Sequence, residues 1–231
     1  MGVEPARALA ELARFGLDEC QRERVAALLG ALGEDPLAPT AIRGEDALDA
    51  HVADSLVALD VVRGASRLAD LGSGSGFPGL ALAIALPDAR VSLVESNGRR
   101  CDFLARMCSA AGIRNATPVR ARAEEWLEGL RASDVTVARA LAPQPVVLEY
   151  AAPLLRVSGT LVDWRGRRNA EEEAAAGRAA RELGMERVEV RSVHPFEGAR
   201  ERHLHVFAKL RATPERFPRR AGMARKRPLG G

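Results

Sequence analysis

Apolar residues recur along this chain with two rhythms. Up to about residue 60 the spacing is helical. Asp18 followed by Gln21 has the form of a capping box, and Val25, Leu28, Leu29 and Leu32 then share one helix face. A loop with Pro36 and Pro39 occupies 33–43, after which Leu48, Val52, Leu56 and Leu59 mark one side of a second amphipathic helix. From Arg67 the rhythm changes to short apolar runs at 67–71, 90–95, 117–121, 134–138, 159–164, 187–193 and 203–210. Helical patterns separate them near 78–86, 97–112, 123–131, 144–156 and 169–184. Strands alternating with helices predict an α/β fold, a mainly parallel sheet covered on both faces. Only Pro195 to Arg202 lies between the last two strands, too little for a helical crossover, so these two should pair antiparallel. The expected organisation is a helical extension over 1–62, a seven-stranded core over 63–210 and a tail over 211–231.

With 231 residues, 47% of them hydrophobic, the chain can bury a core without disulfides or a structural metal. Disordered, collagen-like and disulfide-scaffold classes are excluded by the same figures. Cys101, Leu104, Cys108 and Ala111 fall on one helix face, which reads as core thiols rather than reactive ones. His203 and His205 alternate on the last strand without an acidic or cysteine partner at ligand spacing, so no metal site is expected. Trp126 and Trp164 read as packing residues, and Glu171, Glu172 and Glu173 as the acidic first turn of a helix. No apolar run approaches the ~20 residues of a membrane span. The start, MGVEPARALAELARFG, lacks the layout of a signal peptide, and Ala6 stands where an acylation motif asks for Ser or Thr. A cytoplasmic monomer with no membrane partner is expected.

Charge divides the chain. Net charge is +3, but from Arg211 onward there are seven bases and one acid, leaving 27 bases against 30 acids before it. The basic excess belongs to the tail.

The candidate chemistry begins at Asp70-Leu71-Gly72-Ser73-Gly74-Ser75-Gly76-Phe77-Pro78-Gly79, which follows a predicted strand and opens a helix. Two frames compete. Gly74-x-Gly76-x-x-Gly79 satisfies the dinucleotide fingerprint, with a pyrophosphate at the helix N-terminus. Asp70-x-Gly72-x-Gly74-x-Gly76 instead sets an acid ahead of the glycines. That suits S-adenosylmethionine (AdoMet), whose methionine part carries an ammonium and no phosphate. In either frame Glu95, closing the second strand, can accept from both hydroxyls of a ribose. The acid and the antiparallel ending favour AdoMet over NAD.

The loop, then Glu95-Ser96, Arg122-Ala123-Glu124-Glu125 and Ala138-Arg139-Ala140, resemble in this order the small-subunit 16S rRNA methyltransferase G family, also called GidB. His51-x-x-Asp54-Ser55 and the ending Pro218-Arg219-Arg220-Ala221-Gly222 are similar to further family signatures. The resemblance implies a Rossmann-like class I methyltransferase fold and transfer of a methyl group from AdoMet to N7 of a guanine in 16S rRNA. It places Gly72 and Phe77 toward the methionine side of the cofactor, with Gly74 also cofactor-binding, Glu95 at the ribose, Ala123 and Glu124 at the adenine, and Arg139 at the cofactor–substrate junction. This sequence departs from the family at Gly33–Thr40, where aromatic and asparagine residues are absent, at Arg165, usually lysine, and at Ala138, usually a small hydroxyl residue.

Guanine N7 is an in-plane lone pair. Its attack on a sulfonium methyl leaves no proton to remove, so alignment matters more than a base. No catalytic dyad stands out, and Arg139 is the best candidate for a catalytic role. The place of the Asn/Asp-Pro-Pro-aromatic loop of adenine amine methylation reads Arg139-Ala140-Leu141-Ala142-Pro143, and no cysteine lies where carbon-5 methylation of a pyrimidine needs one. His51 with Asp54 and Ser55 reads as helix–sheet packing or a border of the substrate pocket. Arg165, Arg219, Arg220, Arg225, Lys226 and Arg227 are the candidate RNA contacts, the tail acting as a phosphate-tracking strap. On that view, truncation after Lys209 weakens RNA binding and spares AdoMet binding. The alternatives are an NAD-dependent oxidoreductase using Gly74, Gly76 and Gly79, and a non-catalytic RNA-binding protein on the same fold.

Overall fold

The computed structural model describes residues 12–231; the readings made for the chain's start and for Ala6 lie outside them. Helix α1 (Glu19–Glu34) opens with the capping box that Asp18 and Gln21 spell out. The Gln21 N–H donates to Asp18 Oδ1 and the Asp18 N–H to Gln21 Oε1, both at 2.8 Å. Val25, Leu28 and Leu32 are buried beneath it. Helix α2 runs over 45–56, and its middle, Leu48–Ala53, is wound as a π-helix. The wider turn re-aims the residues that follow. His51, Asp54 and Ser55 are all buried, polar side chains turned inward. Helix α3 (Leu59–Val62) leads into the sheet.

The core alternates β1 (Arg67–Leu71), α4 (Gly79–Ala85), β2 (Arg90–Glu95), α5 (Gly98–Ala110), β3 (Ala116–Arg120), β4 (Ser133–Arg139), α6 (Gln144–Ala151), β5 (Leu155–Arg165), α7 (Ala170–Glu182), β6 (Met185–Ser192) and β7 (His203–Lys209). The sheet order is β3-β2-β1-β4-β5-β7-β6. Strands β1 to β5 pair in parallel, and β7 runs antiparallel between β5 and β6. The order reverses at β1 and β4. In open α/β sheets such a switch point leaves a crevice at the carboxyl ends of the strands, where ligands bind. The Cys101 and Cys108 thiols lie in the core on α5, and burial pushes both pKa values up, Cys108 to about 11.

Two helical patterns end differently from expectation. Segment 123–131 forms two 3-10 turns, Ala123–Glu125 and Leu127–Gly129, instead of an α-helix. Ala123 and Trp126 pack on the core but Leu127 and Leu130 are exposed, and the Trp126 ring sits where a Cβ on Gly129 would be, 2.3 Å from it. Helix α6 stops at Ala151, before Pro153, and β5 begins at Leu155.

The tail is docked on the body. Phe217 and Ala224 are buried, and a short helix α8 (Met223–Lys226) packs on α6. Arg219 grips the buried Glu149 of α6 with Nε at 2.6 Å from Oε1 and Nη2 on Oε2.

Candidate functional site

Two cavities open at the carboxyl edge of the sheet. The first, about 250 Å³, is lined by Gly72, Glu95, Ala123, Glu124, Leu141 and Arg225 among others. The second, about 470 Å³, is lined by His51, Asp54, Arg139, Trp164, Arg165 and Arg202 among others. Both include Ala140 in their walls. Ala140 holds a left-handed φ of +55°, a conformation L-residues adopt only where the surroundings hold them there. The chain thereby turns from β4 so that Leu141 comes over the glycine loop.

That loop forms because glycines occupy its left-handed positions. Gly72, at φ +68°, donates its N–H to the Val94 carbonyl at 2.8 Å, and a Cβ there would fall 2.4 Å from Leu141 Cδ1. Glu95 binds the loop to β2. Its Oε2 accepts from the Gly74 N–H (3.1 Å) and its Oε1 from the Asn97 N–H (2.8 Å). Asp70 lies beneath the loop, 1% exposed, accepting from the Gly79 N–H at 3.0 Å. Burial raises its pKa to about 6. Asp70 is therefore a loop anchor, with its charge below the cavity and not on its wall. It also occupies the N–H that a pyrophosphate at this helix start would need.

Of the cofactor residues read from the sequence, Gly72, Glu95, Ala123 and Glu124 line the first cavity, and Gly74 joins them through Glu95. Phe77 is buried and faces the helical extension, its ring stacked on His51 with centroids 4.6 Å apart and planes 6° from parallel. Arg139 stands in the second cavity. Its Nη1 donates to Asp54 Oδ2 (2.7 Å) and the Ala50 carbonyl (3.0 Å), and its Nη2 lies 3.4 Å from His51 Nδ1. Arginine has only donors, so His51 Nδ1 accepts, and Nε2 carries the proton toward Thr40 Oγ1 at 3.1 Å. Burial, with the Arg139 charge beside it, lowers the His51 pKa to about 4, so the ring is neutral at physiological pH. The Trp164 indole N–H donates to the Asp54 carbonyl at 2.7 Å, fixing α2 to β5.

The basic residues divide in four. Arg165 donates to the Ala142 carbonyl (2.9 Å) and pairs with Glu172, so it braces the loop after β4 while lining the second cavity. Arg219 is committed to Glu149. Arg225 donates to the Leu141 carbonyl at 3.0 Å and walls the first cavity. Arg220, Lys226 and Arg227 are exposed on the outside of the tail. Arg225, read from the sequence as an RNA contact, instead walls the first cavity, and Asp54, read as packing or a border of the substrate pocket, lines the second. The signal for Asp54 was its short motif with His51. Nothing in the basic run singles out Arg225.

The family profile described as rRNA small subunit methyltransferase G matches residues 40–205. Among curated relatives, a ribosomal RNA small subunit methyltransferase G from Rubrobacter xylanophilus is 41% identical over 197 residues, covering 81% of this chain and 75% of the relative. Another of that name, from Deinococcus radiodurans, is 38% identical over 225 residues, covering 93% of this chain and 88% of its own length. A solved SAM-dependent O-methyltransferase from Thermotoga maritima shares the fold at TM-score 0.56 and 17% identity, over 70% of this chain and 66% of that one. The profile match and these identities make this chain a member of the rRNA small subunit methyltransferase G family.

Proposed function

We propose that this chain transfers the methyl group of AdoMet to N7 of a guanine in the 16S rRNA of the small ribosomal subunit, as a monomer in the cytoplasm. The observation that carries the reading is the shared wall at Ala140, which joins the cleft holding the glycine loop, Glu95 and Glu124 to one lined by four arginines. A small-molecule donor in the first and an RNA base in the second would meet there.

The first cavity fits AdoMet by its chemistry. Glu95 offers carboxylate oxygens at the end of β2, where a ribose diol would bind, and Gly74 beside it has no side chain within 4 Å of its Cβ position. Ala123 and Glu124 would border the adenine. The dinucleotide alternative meets the Gly79 N–H already bonded to Asp70. When bound, AdoMet supplies an electrophilic methyl on a sulfonium.

This chain's residues align and enclose. Arg139, fastened to α2 and beside Trp164 across β4 and β5, stands where the base would enter. No group need take a proton, because guanine N7 has none to lose. Arg165, Arg167 and Arg202 give the second cavity a positive wall for phosphates next to the target base, while Arg220, Lys226 and Arg227 extend that charge across the tail.

The test is tritium transfer from labelled AdoMet to small-subunit RNA, offered naked and as the assembled particle, followed by mapping of the labelled nucleotide. Label on guanine N7 supports the reading. Label on another base or atom, or stabilisation against heat by NAD and not by AdoMet, overturns it.

A further inference from the structure

The wall of the second cavity holds a buried carboxylate with one oxygen that makes no hydrogen bond. It belongs to Asp54, which is 5% exposed; the oxygen is Oδ1, and the Arg202 Nε lies 3.7 Å away. Its other oxygen is taken by Arg139 at 2.7 Å. A buried carboxylate oxygen without a donor is unfavourable. The guanidinium groups of Arg139, Arg165, Arg167 and Arg202 in the same walls are donors alone. Oδ1 is itself covered from solvent, with the Arg202 guanidinium beside it, so an entering group that donates would complete the site by displacing the half-exposed Arg202 side chain.

We propose that Asp54 is the specificity-determining residue for the target base, its Oδ1 accepting from the N1–H and 2-amino donors of guanine while Oδ2 stays on Arg139. The inference rests on the guanine-N7 reading above and deepens it. Among the four bases only guanine presents two adjacent donors on its Watson–Crick edge. Adenine offers an acceptor at N1, and each pyrimidine sets a single donor group beside acceptors. Enzymes that draw a base into a pocket read it at that edge. N7 lies at the far end of the purine, so a base held at Asp54 keeps N7 clear of the carboxylate and free to face the wall shared with the cofactor cleft. The carboxylate is held in place for this task. The π-turn brings Asp54 inward, Arg139 fixes one oxygen, and Trp164 fixes its backbone.

The experiment uses two probes that differ in one group. Guanosine 5′-monophosphate (GMP) and inosine 5′-monophosphate (IMP), which lacks the 2-amino group, are titrated by ligand-observed NMR against the full chain saturated with S-adenosylhomocysteine. GMP should bind about tenfold more tightly than IMP, the effect of one hydrogen bond to a charged acceptor. In Asp54→Asn the preference should shrink to within about twofold, because the carboxylate acceptor is gone. Equal affinities in the unmodified chain, no detectable GMP binding, or a preference that persists in Asp54→Asn each overturn the proposal. The unmodified chain alone decides it if the variant does not fold. Binding is read without methyl transfer, so the two claims fail separately. A chain that methylates guanine N7 yet binds both nucleotides equally loses only the role of Asp54, and one that prefers GMP but labels another atom loses the reading.

Discussion

Arg139 at the end of β4 is joined to Asp54 of α2, 85 positions earlier, by an Nη1–Oδ2 contact of 2.7 Å. The helical extension thus holds the guanidinium that faces the second cavity. Both partners are largely buried. Removing Asp54 leaves Arg139 without its counter-ion, and removing Arg139 leaves Asp54 only the longer Arg202 contact at 3.7 Å. Losing one partner of a buried pair destabilises by about 3 kcal/mol or more. Arg139→Ala and Asp54→Ala should each lower denaturant stability on that scale, and the double variant should lose clearly less than their sum. Additive losses would show the pair to be uncoupled.

Activity should separate Arg139 from the cofactor site. Its two terminal nitrogens serve three acceptors, a fork that lysine lacks. In Arg139→Lys, methyl transfer should fall by at least about tenfold, while the AdoMet dissociation constant, read by calorimetry, stays within about threefold. Equal changes in both quantities would move Arg139 into the cofactor cleft.

Glu95 should do the reverse. In Glu95→Gln the amide oxygen can still accept from one loop N–H, so the fold persists, but the charged acceptor for a ribose diol is lost. Hydrogen bonds to a charged group contribute about 1.5–3 kcal/mol, so AdoMet should bind roughly 10- to 100-fold more weakly. Unchanged affinity would place the ribose elsewhere.

The strands and the glycine loop were legible because their signals are local. The runs at 67–71 and 90–95 coincide with β1 and β2 to the residue, each bounded by a charged start and a polar turn. Glu95 follows from its position at a strand end. What was not legible depends on contacts distant in sequence. A periodicity of 3.6 cannot foresee a π-turn, so the inward aim of His51 and Asp54 toward β4 had no signal beyond their motif. A basic run reads alike whether solvated or docked. A few apolar residues among seven bases, Phe217 and Ala224 buried and Leu229 packed beside them, are the trace of the tail's anchorage. Asp70 shows the same limit. Its place before the glycines was plain, whereas its burial under them comes from the path of the loop.

Docking changes what the tail can be used to test. Truncation after Lys209 would strip Phe217 from the core and leave the buried Glu149 carboxylate without Arg219, together several kcal/mol. It would also remove Arg225 and the Gly222 N–H that donates to Glu124 at 3.0 Å, so AdoMet binding should weaken with stability. Point changes outside these contacts are cleaner. Arg220→Ala and Lys226→Ala should leave thermal stability and AdoMet affinity unchanged, and each should flatten the salt dependence of RNA binding by about 0.7 in log–log slope. Slopes that match the parent chain would show these two residues to be bystanders.

Opposed titrations should keep stability nearly level in mild acid. His51 and His205 are held neutral by burial, their pKa values lowered to about 4. The unfolded chain binds those protons from about 6.5 downward, so each histidine takes stability away as pH falls from about 6.5 to 4. Asp70 and Asp163 act with the opposite sign. Burial raises their pKa values to about 6 and about 7, so the folded state binds protons that the unfolded state does not, and each adds stability as pH falls through that range toward about 4. Two groups of each sign share the window between about 4 and 6, where each one alone would tilt stability by at most about 1.4 kcal/mol per pH unit. Single substitutions should expose the balance. His205→Gln should make the chain gain stability on acidification, and Asp163→Asn, which keeps an acceptor for Gln144 Nε2, should make it lose stability. Urea midpoints measured at half-unit steps of pH check both, and parallel curves for the parent and the two variants would refute the assignment.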